Sequence, residues 1–405
     1  MTVFEKMLDP SVRQAFLFHR QEKQLVSEEA VQALSEYILS CECTEDILRL
    51  KAGDFFFDAP RQFLIRKNHS ERRRKVYSFK GHEKMLLRFM AFVLMDYDHI
   101  HASSLCSFRK ENRTKMFFDR VRKLDRGRKN YVLKTDIHEY GGSVDQDLLM
   151  EKLEKLFSDD PEFLRFLRQL LTRNEYYRKG RLVKERVSVI DGVPIGAFLT
   201  NLYLGELDRV LETESVVYMR YTDDIAFFAE TEEKARWAFE EIKRITGSLK
   251  LSINEDKTEI IPPGQEFEVL GIQVLPDGFD IGENALEKLT DKLKRCRNKQ
   301  LRRYRWGKCT LEQGMHRMIS FEDRLFFGKL RNDHELNWVV HAFPIITRTD
   351  SLKKLDRWVQ DCIRVSGSGK LGNARYRIRY KTMKEAGYRS LLHAYYHGYS
   401  MEEEK

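Results

Sequence analysis

The sequence contains no long apolar run. None reaches the roughly 20 residues that a membrane-spanning helix requires. The first residues, MTVFEKMLDPSVRQ, lack the basic start, apolar core and small-residue cleavage site of a secretory signal. We therefore expect a cytoplasmic protein that does not enter a membrane.

The six cysteines include no CxxC pair. Cys41 and Cys43 are separated by one residue, and no second pair matches them, so the pattern gives little support for a zinc site. Reduced thiols are the simpler expectation. The chain also lacks internal repeats and low-complexity linkers, and its 405 residues, 42% of them hydrophobic, are enough for two or three domains with sizeable cores.

Acidic residues are outnumbered by basic ones. There are 72 Lys and Arg against 63 Asp and Glu, which gives a net charge of +9 and a pI of about 9.0. Two segments mix basic and aromatic residues, KLKRCRNKQLRRYRWGK (292–308) and RYRIRYK (375–381). Basic side chains bind phosphates and aromatic rings stack on bases, although a solvated basic helix face has a similar composition. The residues predicted here to contact nucleic acid are Arg302, Arg303, Tyr304, Arg305, Trp306, Arg375 and Arg377.

Hydrophobic periodicity predicts an α+β fold. Residues 1–60 have helical spacing, 61–80 resemble two strands around a charged turn, and 232–249 form an amphipathic helix. From about 284 the pattern is helical again, apart from a glycine-bearing turn at 364–373. A sheet covered by helices on one face fits this order.

Two adjacent carboxylates stand out in the segment SVVYMRYTDDIAFFAE (215–230). Asp223 and Asp224 lie between two apolar, β-branched and aromatic runs, which predicts a hairpin with the acids at its turn. An ordinary acidic turn is the alternative. A third carboxylate, Asp136, ends the predicted strand NYVLKTDI (130–137). If the three converge, they cannot all stay ionised without cations. Two Mg²⁺ ions, or Mn²⁺, would satisfy them and support in-line nucleotidyl transfer.

Five motifs in this order resemble those of the reverse transcriptases, most closely the bacterial defence-associated and abortive-infection types. They are KTDIHEYGGSVD (134–145), GVPIGAFLTNLYLGELD (192–208), YTDD (221–224), INEDKTEII (253–261) and FEVLGIQV (267–274). Upstream, RKNHSERRRKVYSF (66–79) and SSLCSFRKENRT (103–114) resemble the segments that hold the triphosphate and precede the palm. The resemblance covers about residues 60–280 with ordered motifs, and more loosely the segment to residue 405.

The resemblance implies a right-hand polymerase with fingers, an antiparallel palm sheet carrying the catalytic carboxylates, and a helical thumb. The expected division is a helical N-terminal segment (1–60), fingers (61–129), palm (130–280, with finger helices around 146–185) and a basic helical C-terminal thumb (281–405).

The same resemblance assigns residue roles. Asp136, Asp223, Asp224 and the carbonyl of Ile137 would bind the metals, and Lys257 would be a general acid, with a surface lysine as the alternative. The nucleotide site would include Lys67, Arg74, Lys75, Tyr140, Gly141, Pro194 and Gly196. Primer or template contacts would include Phe108, Arg109, Leu270 and Gly271.

Two departures from the family pattern affect substrate choice. Pro194–Ile195–Gly196 stands where the family usually has Pro-Gln-Gly. Gly141 stands where the family carries an aromatic residue that blocks a ribose 2′-hydroxyl, with Tyr140 one position earlier. Either Tyr140 takes that role or discrimination against ribonucleotides is weak.

The resulting functional hypothesis is an RNA-directed DNA polymerase that uses dNTPs to copy a dedicated noncoding RNA into DNA. Its expected role is antiviral defence. The protein would act as a monomer, as a homo-oligomer or with a protein partner. A template-independent or protein-primed DNA polymerase is the alternative, with Tyr376, Tyr380 or Tyr388 as primer unless these rings are core or stacking residues. A palm-fold nucleotide cyclase and an inactive RNA-binding scaffold are further alternatives.

Overall fold

The structure, a computed structural model, describes residues 1–22, 28–66, 73–111, 113–124, 129–185, 191–327 and 341–398. Contacts between Cα atoms divide it into two compact units, one within residues 1–264 and one within residues 265–405. They are described separately below as the first unit and the second unit. No helix in the described ranges combines the length and apolar character needed to cross a membrane.

The first unit consists of short helices and two sheets. Its described helices are α1 (Val3–Leu8), α2 (Pro10–Glu22), α3 (Glu28–Ile38), α4 (Cys41–Ala52), α5 (Gly81–Leu94), α6 (Arg113–Lys123), α7 (Tyr140–Ser143), α8 (Gln146–Leu156), α9 (Pro161–Leu171), α10 (Gly196–Tyr203), α11 (Gly205–Glu214) and α12 (Glu232–Ser248), with 3₁₀ turns at Met95–Ile100 and Glu255–Lys257. Its strands are β1 (Arg61–Arg66), β2 (Arg73–Ser78), β3 (Tyr131–Asp136), β4 (Glu175–Arg178), β5 (Arg181–Lys184), β6 (Val217–Tyr221), β7 (Asp224–Ala229) and β8 (Glu259–Ile261).

One carboxylate joins the N-terminal helices to the body of the first unit. Asp160 caps α9 by accepting a hydrogen bond from Phe163 N at 3.1 Å, and its other oxygen accepts one from Val3 N at 2.7 Å. Pro161 follows at the first helical position, where its missing N–H has no cost. A single short sequence therefore begins α9 and also fixes the start of α1.

The sheet that carries the acidic motifs has the strand order β6-β7-β3-β8, and each neighbouring pair is antiparallel. Its strands form because β-branched and aromatic residues such as Ile225 and Phe227 pack into a shared core. The predicted amphipathic helix is α12, which packs against β3 and β7 through Ala235, Ala238, Ile242 and Ile245. The mixed α+β prediction is confirmed.

The second sheet of the first unit has the strand order β2-β1-β4-β5. It contains the two strands predicted within 61–80, and β1 pairs with β2 in antiparallel register.

The second unit begins with a three-stranded antiparallel sheet, β9 (Phe267–Val269), β10 (Ile272–Leu275) and β11 (Gly278–Ile281). Helices follow: α13 (Glu283–Arg305), α14 (Leu311–Phe326), α15 (Asp350–Ser368), α16 (Tyr380–Glu385) and α17 (Leu391–His397), with a 3₁₀ turn at Asn373–Arg377. Phe279 N donates to Thr347 Oγ1 at 2.8 Å, and Ser351 N donates to Asp280 Oδ2 at 3.0 Å. These bonds join β11 to the segment that starts α15. The boundary between compact units thus falls near residue 264, whereas the sequence division placed 265–280 in the palm.

The glycine-bearing turn predicted at 364–373 begins later than expected. Helix α15 continues to Ser368 and ends at Gly369, whose φ of +70° is the left-handed conformation typical of helix ends. Gly367 lies within α15 and packs closely against α14: a Cβ there would be 3.0 Å from Met315 Sδ. Tertiary packing has overridden the low helix propensity of glycine.

A buried acidic group lies between α14 and α15. Asp356 is satisfied, since it accepts hydrogen bonds from the Tyr388 hydroxyl at 2.8 Å and from Leu391 N at 2.7 Å. Glu322 is fully buried, and neither carboxylate oxygen has a hydrogen-bond partner among the described residues. Burial, together with the charges of Asp323 and Asp356, raises the pKa of Glu322 well above its usual value, against a smaller opposing effect of Arg389.

Glu322→Gln is expected to stabilise the protein increasingly as pH rises. A carboxyl whose pKa is raised by folding binds its proton more tightly in the folded state, so wild-type stability falls as pH increases above the unfolded pKa. The glutamine variant lacks this loss. Melting temperatures at pH 5 and pH 8 measure it, with Glu312→Gln, an exposed position on the same helix, as control. An equal shift at both pH values would contradict the assignment.

Candidate active site

Three aspartates meet at one edge of the sheet β6-β7-β3-β8. Asp136 ends β3 and lies opposite Asp224, the first residue of β7. Asp223 precedes Asp224 in the hairpin turn, and its carbonyl accepts a hydrogen bond from Ile137 N at 3.3 Å. The turn is tight because Thr222 has a φ of +55°, which is rare for a β-branched residue. The structure thus brings together the acids that the sequence predicted to converge.

The triad carries an excess of negative charge. Desolvation, with the charges of Asp223 and Asp136, raises the pKa of Asp224 to about 6, even though its side chain is accessible from solvent. Asp136 is 8% exposed. A nearby cation would lower the free energy of this cluster.

Lys257 supplies one such cation. Its ammonium group donates a hydrogen bond to Asp136 Oδ2. The backbone positions it, since Asn254 N donates to the carbonyl of Asp136 at 2.9 Å and the 3₁₀ turn Glu255–Lys257 follows. Burial opposes protonation of Lys257, but the bond to Asp136 and the three nearby carboxylates outweigh it and raise its pKa. The predicted lysine therefore lies at the triad.

The donor set of the triad fits a divalent ion. Asp136 Oδ1 is buried and has no hydrogen-bond partner among the described residues, so an acceptor is left for a ligand. Carboxylate oxygens are the ligands that Mg²⁺ prefers. Asp136, Asp223 and Asp224 are the residues that would hold such ions.

A different group has the tightest spacing of potential metal ligands. Within the described ranges, only Glu42, Asp46 and His82 form a set of three His, Cys, Asp or Glu side chains whose ligand atoms all lie within 4.8 Å of one another. His82 Nδ1 is 3.1 Å from Glu42 Oε1, and Asp46 accepts a hydrogen bond from the Tyr37 hydroxyl at 2.7 Å. The oxygens of the three aspartates are therefore more widely spaced than this surface cluster.

A fully buried arginine contacts the hairpin that carries Asp223 and Asp224. Arg220 Nε and Nη2 contact the two oxygens of Asp208 at 2.7 and 2.6 Å, and both side chains are inaccessible to solvent. Arg220 Nη1 donates to the carbonyl of Thr222 at 2.9 Å, in the turn that holds Asp223. Tyr218 adds a 2.9 Å hydrogen bond from its hydroxyl to Asp208. The charge pair thus fixes one side of the turn.

The other side of the turn is held by the segment before α6. Thr222 N donates to Ser107 Oγ at 3.1 Å, and Asn201 Nδ2 donates to the carbonyl of Ser107 at 2.9 Å. Sequence analysis missed Arg220, Asp208, Ser107 and Asn201 as positioning residues. The usable signal was a charged residue inside an apolar strand, since a buried Arg almost always has a partner.

Arg74 lies close to the triad, whereas the side chain of Lys75 lies on the opposite face of the sheet. Successive side chains of β2 lie on opposite faces of the sheet, so the two cannot serve one ligand in the same way. Arg74 binds Asp191 and is near enough to Asp223 for their charges to interact. Lys75 is exposed on the other face, and Lys67 lies outside the described residues.

Tyr140 does not present its ring to a nucleotide. It is 4% exposed, and its hydroxyl donates to the carbonyl of Thr200 at 2.5 Å within the core. Burial raises its pKa far above the usual value. The structure therefore does not support the possibility that Tyr140 replaces the missing aromatic residue as the group that blocks a ribose 2′-hydroxyl. Gly141, the next residue, packs against Asp191.

The loop before α10 is apolar where the family has a glutamine. Ile195 is fully buried, and Gly196 begins α10 with its N–H bonded to the carbonyl of Val193 at 2.8 Å. Pro194 is only half-buried. Ile195 therefore serves the core, and the nucleotide roles of Pro194 and Gly196 stay predictions.

Arg109 is a structural residue in this fold. Its guanidinium is buried, pairs with Asp98 and donates to the carbonyl of Ala102 at 2.8 Å. Phe108 has a φ of +54° and packs partly against the core. Both are thus engaged inside the first unit, which leaves Arg109 without a free charge for a template phosphate.

The predicted primer hairpin is present in the second unit. Leu270 and Gly271 form its two-residue turn between β9 and β10, with φ values of +50° and +77°. Positive φ at both positions is the requirement of a type I′ turn. The contact of these residues with primer stays a prediction.

The two basic segments differ in how available their charges are. Arg302 and Arg305 on α13, and Trp306 just after it, are exposed. Leu289, Leu293 and Leu301 of the same helix are buried. Tyr304 is also exposed, and Arg303 is half-buried. Arg375 instead pairs with Asp361 at 3.2 Å and lies over the ring of Tyr376, while Arg377 donates to the carbonyl of Ser368 at 2.5 Å. The segment 292–308 therefore offers the freer charge.

The chain shows distant structural likeness to telomerases. Apo telomerase from Candida tropicalis matches with 11% identity and a TM-score of 0.48, over 85% of this chain and 63% of that one. Telomerase from Candida albicans in complex with a fragment of telomeric RNA matches with 13% identity and a TM-score of 0.46, over 83% of this chain and 64% of that one. The chain thus spans less than two thirds of either telomerase, and the likeness is too distant for functional conclusions. No curated protein sequence matches significantly.

A family match covers the part of the chain that holds the triad. The model for reverse transcriptase (RNA-dependent DNA polymerase) matches residues 65–274, which is more than half of the 405 residues. That range includes the three aspartates, Lys257, Arg74 and the hairpin turn at Leu270–Gly271. The chain belongs to the reverse transcriptase family.

Proposed function

We propose that this chain is an RNA-directed DNA polymerase whose active site is the Asp136, Asp223 and Asp224 triad. The carrying observation is that Asp136 and Asp224 lie opposite each other at the sheet edge, with Lys257 bonded to Asp136. Divalent ions held by the three carboxylates would activate the attacking hydroxyl and stabilise the leaving pyrophosphate.

The chain's own residues supply the remaining functions. Lys257 is a protonated ammonium group at the triad, suited to protonate a leaving pyrophosphate. Arg74, which is half-exposed, presents a guanidinium fork that matches a phosphate group. The network of Arg220 and Asp208 holds the turn of Asp223 in place, as a positioning element.

The template is proposed to be a dedicated noncoding RNA, copied from dNTPs in a defence function. The exposed basic and aromatic face of α13 supports the RNA part of this proposal, because it combines phosphate-binding charge with stacking surface. The defence role rests on the sequence resemblance to the bacterial defence types.

Primer extension tests the proposed activity. Purified protein is given Mg²⁺, labelled dNTPs and a primer annealed to RNA or to DNA, with parallel reactions containing rNTPs. Extension of the RNA-templated primer is expected. A small cyclic product without polymer would instead indicate a nucleotide cyclase. Sequencing the nucleic acid that co-purifies identifies the template, and absence of a defined RNA there would contradict the dedicated-template proposal.

Protein priming is a second candidate for how synthesis starts. Tyr376 and Tyr380 are 52% and 43% exposed, so their hydroxyls are accessible. Tyr388 is 3% exposed and donates to Asp356, which makes it a core residue and removes it from the candidates. DNA that remains attached to the protein after RNase treatment, and that is lost in Tyr376→Phe or Tyr380→Phe, would support protein priming.

Arg302→Gln/Arg305→Gln is expected to weaken RNA binding and its salt dependence together. Each phosphate interaction that is removed lowers the slope of log K against log salt by about 0.7 to 0.9, so the slope of the double variant should be smaller by roughly 1.5. Fluorescence anisotropy across a salt series measures both quantities. Arg236→Gln, on an exposed helix face of the first unit, is the matched control. An unchanged slope would remove α13 from the RNA interface.

A further inference from the structure

Asp191 occupies a position at the nucleotide site that nothing in the motif pattern assigns. Arg74 Nη2 contacts Asp191 Oδ1 at 2.6 Å, and Arg74 Nε contacts Oδ2 at 3.2 Å. The pair is bidentate, which is the strongest arrangement of an arginine and a carboxylate. The Arg74 side chain is 53% exposed, whereas that of Asp191 is 13% exposed. The Arg74 guanidinium is therefore accessible to a ligand from solvent, whereas the Asp191 carboxylate is largely covered.

The backbone holds Asp191 in place independently of its side chain. Tyr77 N donates to the carbonyl of Asp191 at 2.8 Å, which pins the loop to β2. Gly192 follows with a φ of +88°, and a Cβ there would lie 2.7 Å from the carbonyl of Tyr77. Only glycine permits this close approach. The position of the loop thus does not depend on the ion pair, and the carboxylate can be changed without removing its anchor.

Gly141 makes room for the carboxylate. A Cβ at Gly141 would overlap Asp191 Oδ1 and lie 2.7 Å from Asp191 Cγ. The space beside residue 141 is therefore filled by the side chain of Asp191, which faces Arg74. The glycine and the acidic residue, 50 positions apart in the sequence, fit each other.

We propose that Asp191 is a specificity-determining residue that competes with the triphosphate of the incoming nucleotide for Arg74. This inference rests on the proposed polymerase function. A nucleotide placed at the triad brings its triphosphate to the guanidinium whose charge already interacts with that of Asp223. Asp191 occupies the edge of the guanidinium formed by Nε and Nη2, so a phosphate that binds through this edge must displace Asp191. The nucleotide then forms one ion pair while another is broken, and breaking the pair with Asp191 lowers the affinity of the site for the nucleotide.

The competition has a further selective effect. A nucleoside triphosphate carries more negative charge than a monophosphate, so it attracts the guanidinium more strongly and compensates better for the broken pair. Asp191 is thus expected to reduce binding of nucleoside monophosphates more than binding of triphosphates.

Equilibrium binding tests the proposal without requiring catalysis. dATP with Mg²⁺ is titrated into wild type, Asp191→Asn and Asp191→Ala by calorimetry, and dAMP is titrated in parallel. Both variants are expected to bind dATP about two- to fivefold more tightly, in line with release of one partly exposed ion pair. The gain in dATP affinity should disappear when Arg74→Gln is added, because Asp191 then has no guanidinium to bind. Weaker or equal dATP binding in both variants, or a gain that persists without Arg74, would overturn the proposal.

Primer extension with the same proteins separates this proposal from the proposed function. Tighter binding should appear as a lower KM for dATP with a smaller change in kcat. If wild type extends primers and both variants keep its dATP affinity, the Asp191 proposal fails and the polymerase stands. If the binding gain is present but no protein extends a primer, the polymerase proposal fails and the competition stands.

Discussion

Asp224→Asn is expected to reduce nucleotide incorporation by at least about a thousandfold. Asparagine keeps the shape of the side chain but removes a negative ligand from the triad, and loss of several kcal/mol of transition-state stabilisation corresponds to this factor. Single-turnover primer extension measures the loss. Glu230→Gln, at the far end of the same strand, provides the control because it changes one exposed carboxylate outside the site.

The same substitution is expected to preserve or raise stability. The pKa of Asp224 is raised to about 6 in the folded protein, so ionisation of this group becomes less favourable on folding and costs stability above the unfolded pKa. Asparagine removes that cost. RNA affinity should also stay close to wild type, because the exposed charges of α13 are unaltered. A folded variant that keeps more than a tenth of the activity would remove Asp224 from the catalytic role.

Arg220→Met is expected to destabilise the first unit by about 3–5 kcal/mol. The change leaves the carboxylate of Asp208 buried without its partner, and an unpaired buried charge is far more costly than an absent pair. Chemical denaturation measures the difference, and a loss of soluble protein would be its extreme form. A change below about 1 kcal/mol would show that Asp208 finds solvent or another partner.

A triple variant separates the structural role of Arg220 from its role at the turn. Asp208→Leu/Tyr218→Phe/Arg220→Met removes both charges and the tyrosine hydroxyl that Asp208 satisfies, so most of the lost stability should return. Activity should not return, because the carbonyl of Thr222 still lacks its donor and the turn of Asp223 is less firmly held. Full recovery of kcat would limit the pair to a purely structural role.

Local patterns in the sequence were enough to predict the hairpin at 215–230, the helix α12 and the strand ending in Asp136. Apolar residues recur about every 2 residues in the strands and every 3.6 residues in the helix, and this period decides which face of each element is buried. The local patterns left the convergence of the three acids open, and the resemblance of the ordered motifs to the reverse transcriptases implied it.

Contacts between distant segments could not be predicted in the same way. The fit between Gly141 and Asp191 joins positions 50 residues apart, and neither residue alone indicates the other. The direction of Tyr140 depends on a four-residue helix, in which one step rotates a side chain by about 100°. Gly367 lies within a helix and packs closely against Met315 of another helix. Each outcome is decided by tertiary packing, which the local sequence does not encode.

The bond between Lys257 and Asp136 has a consequence for how the protein behaves without divalent salts. The sheet edge that holds the three aspartates has a counterion of its own, so treatment with a chelator should leave the fold intact and abolish only the proposed polymerase activity. Divalent ions would then have to displace the Lys257 ammonium group from Asp136. Their occupancy would depend on how easily this bond breaks.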